Sequence, residues 1–478
     1  MKLFTKSPFP TLVLLASLSL VPAARVAAQI LTTLHDFANP PDAEHPIAGL
    51  TLSSNTLYGT SVNGGSSGDG TVFSINTNGT DFTILHHFTA GSEGSFPSFG
   101  GLIVSGNTLY GTSSGGGATG TVFKVNVDGT GFTNLVTFTN FNPGAEPTGG
   151  LALSGNTLYG TTFRGGTANA GQVFSVNTDG SGFTNLFNFT DNTAGFNPYA
   201  GLILSGSTLY GTANAGGEQS SSGSVYALNT NGTGFTSLHT FSILSYDPPL
   251  GTYTNLDGAN PYAGVILSGS TLFGVAYFGG IFGNGTVFSI HSDGSDFSVL
   301  YTFSAFDQTS VTNSDGANPV GRLTISGNTL YGTTVHGGPA GNGTAFKVNT
   351  DGGGFAALHG FSTVQFGANT DGANPYGGLI VSGNTLYGTS ENAGGSGFGT
   401  LFSLSLASSE PSIVVSPSGT NIVLTWSTNA AGFSLQSATN LVSSATWNPV
   451  FPAPIIVNGQ NTVTNPISGT QVFYRLMQ

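Results

Sequence analysis

Cysteine is absent from this 478-residue chain, which removes disulfides and thiolate metal sites from consideration. Charge is scarce too, at 6% of residues, and it leans acidic, with 21 Asp and Glu against eight Lys and Arg and a formal net charge of −13. A phosphate backbone needs a basic footprint, so nucleic acid is excluded as a partner. No stretch sets apolar residues at helical spacing with charges between them, whereas two-residue alternation runs throughout. What abounds is glycine, at 74 residues, and phenylalanine, at 36, with many Thr, Ser and Asn. That mixture suits short strands joined by tight turns, stabilised by packing alone.

The first 28 residues stand apart. Lys2 and Lys6 precede an apolar run over residues 11–21, and Val26-Ala27-Ala28 offers the small residues a signal peptidase reads, so cleavage is expected after Ala28. The run is too short to span a hydrocarbon core of roughly 30 Å. The mature chain is therefore expected to lack a transmembrane segment and to be secreted or displayed at the cell surface. Loss of Lys2, Lys6 and Arg25 with the leader leaves five basic residues against 21 acidic ones, a formal charge of −16.

A near-copy of Leu-x-x-Ser-Gly-Asn-Thr-Leu-Tyr-Gly-Thr recurs seven times, with its aromatic residue at Tyr58, Tyr110, Tyr159, Tyr210, Phe273, Tyr331 and Tyr387. Self-similarity at this period marks a propeller or a solenoid. The second unit predicts four strands, over residues 101–106, 107–112, 121–126 and 132–138. The first two are joined by a Ser-Gly-Asn turn, the last two by a two-residue Asp-Gly hairpin. After the seventh third strand, over 400–405, no fourth strand follows. The missing piece stands at the other end, where residues 30–37 match the fourth strand at 82–88 with no strands before them. Displacing one strand in this way closes a ring and leaves no open edge. The expected fold is all-β: a seven-bladed β-propeller over 29–406, its last blade completed by the N-terminal strand, followed by a small β-sandwich.

The repeated Ser-Gly-Asn-Thr-Leu-Tyr-Gly-Thr, the Gly-Gly pairs, Gly-Thr-Val-Phe and Asn-x-Asp-Gly resemble the GloVer tandem repeat of secreted bacterial proteins, called choice-of-anchor because their C-terminal modules differ. The resemblance spans all seven units. It implies an exported, extracellular bacterial repeat protein and brings no defined activity. Kelch repeats are similar in length and Gly-Gly pairs, but the kelch Trp is missing from every unit, the only tryptophans being Trp426 and Trp447. Residues 407–478 read as a separate β-sandwich-like module with Trp426 at its core. Their closing Phe-Tyr-Arg-Leu resembles terminal modules that would imply sorting or attachment, and a plain structural cap is the alternative.

Function is expected on the face carrying the unequal loops, notably 242–260, 304–318 and 362–374. Asp257, Asp315 and Asp371 each open an Asp-Gly-Ala-Asn-Pro motif there. They could ring the channel mouth as Ca²⁺ ligands, or simply build turns that bond their own following backbone. His35, His86, His239 and His359 share one fourth-strand position and read as packing residues. Departures from the repeat are the sharper candidates. Arg322 replaces a glycine at the start of an innermost strand, with a salt bridge to a loop carboxylate as its plain explanation. Tyr277, Phe278 and Phe282 make one loop strongly aromatic, suited to a sugar ring or a protein surface or to folding over the 242–260 loop. His336 and Glu391 are further single-repeat departures. The expected function is that of a monomeric, non-catalytic binding or surface-scaffold module for a glycan or protein, with no cofactor, Ca²⁺ remaining open. The alternative is a polysaccharide-cleaving hydrolase or lyase with Asp257 and Asp315 as acid and base.

Overall fold

The computed structural model describes residues 29–477 except 90, 98, 117–118, 140–143, 191–194, 218–221, 308–309, 311, 407–412, 428–433, 440–445, 458–459 and 467–471. The expected leader and its cleavage site after Ala28 lie outside the described residues. Two compact units emerge, Gln29–Leu406 and a second containing the chain from Ala407 onward. Regular structure among the described residues is all β.

Within Gln29–Leu406 each repeat builds one antiparallel sheet. In the second repeat the strands are Ile103–Ser105, Thr108–Ser113, Thr121–Asn126 and Thr133–Thr137, bonded in that order. The sixth repeat adds a short strand, Ala317–Pro319, beside Thr329–His336. In the last sheet Ile380–Ser382, Thr385–Ser390 and Thr400–Ser405 are joined by Leu31–Asp36 in the outer place, with Leu31 opposite Leu404 and Asp36 opposite Thr400. The connection between third and fourth strands is wider than the two-residue hairpin expected. The amide of Asn126 donates to the Thr130 carbonyl at 2.9 Å, and Asp128 accepts from the Thr130 amide and hydroxyl at 3.0 and 2.7 Å.

The Leu-Tyr-Gly-Thr signature has a physical reading at each position. Its Leu is fully buried, as at Leu57 and Leu109. Its Gly faces the Phe of the third strand so closely that a Cβ on Gly111 would lie 2.6 Å from the Phe123 ring. Its Thr reaches the next repeat: Thr112 donates to the Gly149 carbonyl at 3.1 Å, Thr161 to Ala200 at 2.9 Å, Thr212 to Ala263 at 3.0 Å and Thr333 to Gly377 at 3.1 Å. Thr389 makes the same bond to Ala48 at 3.2 Å. The last sheet is thus joined to the first as any repeat is joined to its successor.

Apolar packing follows the same rule. Leu57, Phe73 and Ile75 of the first repeat share a cluster with Tyr387 and Leu401 of the seventh, and six other clusters each join two consecutive sheets. A fully buried Phe such as Phe73, Phe123 or Phe174 contributes about 2–3 kcal/mol through burial. Because every cluster draws on two sheets, no repeat buries its faces alone.

The second unit holds two antiparallel sheets. One orders Val414–Ser418, Asn421–Ser427, Gln460–Pro466 and Ile455–Val457, and the other Asn448–Pro449, Ser434–Ala438 and Phe473–Met477. Leu424, Trp426 and Val463 from the first meet Leu435 from the second in one cluster, where Trp426 is 2% exposed. Among the described residues no helix is long and apolar enough to cross a membrane.

Candidate ligand-binding site

Strands nearest the centre of the first unit begin at one equivalent position in every repeat, occupied by Gly49, Gly101, Gly150, Gly201, Gly264, Arg322 and Gly378. All seven line a cavity of about 370 Å³. At most of these positions glycine is needed because backbones of successive repeats nearly touch, although a Cβ on Gly49 would stop 3.6 Å from Gly378. A Cβ on Gly264 would lie 2.7 Å from the Gly201 carbonyl oxygen, and one on Gly150 would strike the Gly100 carbonyl oxygen. Arg322 alone carries a side chain. Its guanidinium meets the solvent of the cavity yet is enclosed by protein, and that desolvation, with no contribution from a neighbouring charge, lowers its pKa. It stays charged even so. Among the described residues it has no ion pair, hydrogen bond or stacked ring. The salt bridge expected for it is therefore not formed.

One end of the cavity is lined by Phe99, Tyr262 and Tyr376. The Phe99 ring lies 4.7 Å from Tyr199 and 6.1 Å from Tyr376, and Tyr199 lies 5.3 Å from Tyr262. These residues come from the second, fourth, fifth and seventh repeats, so their contacts place them at the centre. Three sit in an Asn-Pro-Tyr triplet. Asn260 takes a positive φ of 55° and donates its side-chain amide to the Asn214 carbonyl at 2.9 Å, which fixes the chain before Pro261 and aims Tyr262 inward. Burial, reinforced by the hydroxyls of Tyr262 and Tyr376, raises the Tyr199 pKa. Burial and those same two hydroxyls push Tyr277 up to about 12. Tyr277 lies 5.2 Å from Tyr262 and 4.5 Å from Phe278. A continuous track of rings thus runs from the centre to Phe278, which is 41% exposed.

Asp257, Asp315 and Asp371 do not ring the mouth. Their oxygens are taken up at the outer strand of each sheet. Asp257 accepts from His239 Nε2 at 3.1 Å and from the amide and hydroxyl of Ser242. Asp371 accepts from His359 Nε2 at 2.8 Å and from Ser362, while Asp315 accepts from the Tyr301 hydroxyl at 2.7 Å and from Ser304. These carboxylates reach back to the end of the fourth strand and do not bond their own following backbone. The turn itself is held by Asn255, whose side chain brackets Gly258 with bonds of 2.9 and 2.7 Å. Burial raises the Asp257 carboxyl, but bonds from His239 and Ser242 outweigh it and leave the pKa below the ordinary value; Asp371 behaves alike. The shared fourth-strand histidines also do more than pack: His35 bonds Asp42 at 3.1 Å while stacking on Phe82 at 3.7 Å.

Of the other expected residues, Glu391 stands at the central end. Burial raises its pKa, against the influence of His45 and a 2.9 Å bond from Asn392, and its charge reaches Tyr376. Phe282 is half-buried, and the adjoining Gly283 lies against Thr252 and the Tyr253 carbonyl, so part of the aromatic loop packs against the 242–260 insertion. His336 ends the long strand Thr329–His336 opposite Ala317, the place that Phe278 holds opposite Ala259 in the fifth repeat, and enclosing protein lowers its pKa. The structure thus gathers Arg322, Tyr277, Phe278 and Glu391, and leaves Phe282 and the three aspartates apart. Sequence reading missed Phe99, Tyr199, Tyr262 and Tyr376. The residue after the motif's proline was the available signal, since it changes from Tyr199, Tyr262 and Tyr376 to Ile47, Thr148 and Val320. Among the described residues no group of three or more His, Asp or Glu could hold a metal ion.

The Gloeobacter/Verrucomicrobia repeat model matches residues 23–154, 119–312 and 246–439. The chain belongs to this family. No curated protein matches it. Among solved structures, oligogalacturonate lyase in complex with manganese is similar at 14% identity over 80% of this chain and 97% of that one, with a TM-score of 0.47. The nidogen/laminin complex is similar at 15% identity over 58% and 86%, with a TM-score of 0.36. TolB from Acinetobacter baumannii follows at 12% identity over 59% and 58%, also with a TM-score of 0.36. At such values these likenesses carry no functional argument.

Proposed function

We propose that this repeat-family protein is exported, that residues 29–406 form a closed seven-bladed propeller followed by a small sandwich serving attachment, and that the propeller acts without catalysis as a monomeric glycan-binding module. The ring track from Phe99 through Tyr199, Tyr262 and Tyr277 to Phe278 carries this reading. Sugar rings offer apolar faces that stack on aromatic side chains, and a line of rings leading outward suits an extended chain. Beside its outer end Tyr246 and Tyr253 stand more than half exposed and extend the apolar surface. The enzyme alternative is less well supported. General acid and base carboxylates need free oxygens flanking the scissile bond, and those of Asp257 and Asp315 are already engaged.

A glycan array run with and without calcium chelation, on the wild type and on Tyr262→Ala, tests the proposal. Binding insensitive to chelation and weakened about tenfold by the substitution is expected, since the lost ring removes its buried area and a stacking contribution on the order of 0.5–1.5 kcal/mol. Absence of glycan binding in both conditions would overturn it in favour of a protein partner.

A further inference from the structure

Resting on that glycan reading, we infer that the central cavity is an anion site in which Arg322 takes the carboxylate of an acidic sugar. At this position six repeats carry glycine, and at most of them close backbone packing leaves little room for anything else. The remaining one, the sixth, carries the longest cationic side chain and leaves it unpaired among the described residues, although the chain has 21 acidic residues to offer. The side chain is exposed to the solvent of the cavity, where its donors are free to meet a ligand. Around Arg322 the cavity wall is glycine backbone together with Leu323, Leu379 and Ile380, so no protein carboxylate competes for its donors. A guanidinium presents its N–H groups in a planar fork that matches a carboxylate bidentately.

Phe99, Tyr262 and Tyr376 line the same cavity. A ligand holding a carboxylate beside a pyranose ring therefore satisfies the charge and the aromatic surface together. The volume of about 370 Å³ lies at the small end of the roughly 300–1,000 Å³ typical of ligand sites. It fits a terminal sugar residue, with the rest of the chain leaving along the ring track.

Calorimetric titration of the full chain with a hexuronic acid trisaccharide, its methyl ester and inorganic phosphate decides the matter. The acid should bind at least about tenfold tighter than the ester, as a charge-assisted bidentate pair predicts. Arg322→Gln should abolish the preference and Arg322→Lys should retain part of it, both unfolding at the wild-type temperature. Equal binding of acid and ester by the wild type overturns the inference while leaving the glycan reading intact. Phosphate displacing the trisaccharide at equal affinity also overturns it, by making the site one for free anions. If neither saccharide nor any neutral glycan binds, the glycan reading falls as well.

Discussion

At the outer strand of five of the seven sheets, a ring that carries a donor faces a loop acid; at the central strand, a lone cation meets none. His35 pairs with Asp42, His239 with Asp257 and His359 with Asp371, and Tyr301 takes the same role towards Asp315, while His86 faces Glu93 at 3.8 Å without a hydrogen bond. Where the outer strand instead presents Val136 or Phe187, the sequence has Pro143 or Ala194 at the acid's place. Donor and acceptor come and go together, as expected when leaving either alone would strand a partly buried polar group. Arg322 has no such companion. Features in step with the repeat complete themselves within the fold, whereas the feature that breaks step is left with bonding capacity to spare.

The largest effect should come from breaking the central collar. Gly150→Ala places a methyl group against the Gly100 carbonyl oxygen, and since backbone cannot swing aside, a loss of about 3 kcal/mol is expected from overpacking. Urea denaturation of the full chain measures it. A neutral result would mean that the position tolerates side chains generally, and the presence of Arg322 there would no longer be exceptional.

A smaller effect is expected at the outer strand, and it can be reversed. Asp371→Ala strips His359 and the Ser362 amide of their acceptor, which costs about 2 kcal/mol for stranded donors. Adding His359→Phe recreates the apolar combination of Phe187 and Ala194, so the double variant should regain about half of that loss. The double-mutant cycle reads the coupling directly, and strictly additive losses would refute the pairing.

Much of this architecture was legible because it is periodic. The stray strand Leu31–Asp36 could be assigned to the last sheet from pattern alone, since Leu34, His35 and Phe37 repeat the spacing of Leu85, His86 and Phe88. Arg322 was legible too, as a break in a glycine column. The aromatic end of the cavity was not. Phe99, Tyr199 and Tyr376 are scattered over nearly 280 positions and belong to non-adjacent repeats, so only the folded arrangement of the repeats brings them within contact. The acidic motif misled for a related reason. Its partners lie on the outermost strand, nine to eighteen residues upstream, and composition alone cannot show which way a carboxylate turns.

The smallest effect should appear in acid, where His86, Asp257 and Asp371 act with the same sign but from different onsets. Burial lowers the His86 pKa from its ordinary value of about 6.5, with Glu93 opposing and His87 assisting. A histidine with a lowered folded pKa binds protons more readily when unfolded, so its contribution is present above about pH 6.5 and is lost as pH falls towards the folded value. The carboxyls of Asp257 and Asp371 are held below their ordinary value of 3.8 by their histidine and serine bonds. Their contribution is intact above that pH and is lost as pH falls through the still lower folded values. Thermal unfolding should therefore show a shallow loss below pH 6.5 and a second below pH 4. His86→Phe, which copies Phe187, should reduce the first loss, leaving the share of His336, whose pKa is lowered as well, and should leave the second unchanged. If the shallow loss is undiminished in that variant, the histidine at the outer strand does not contribute to it.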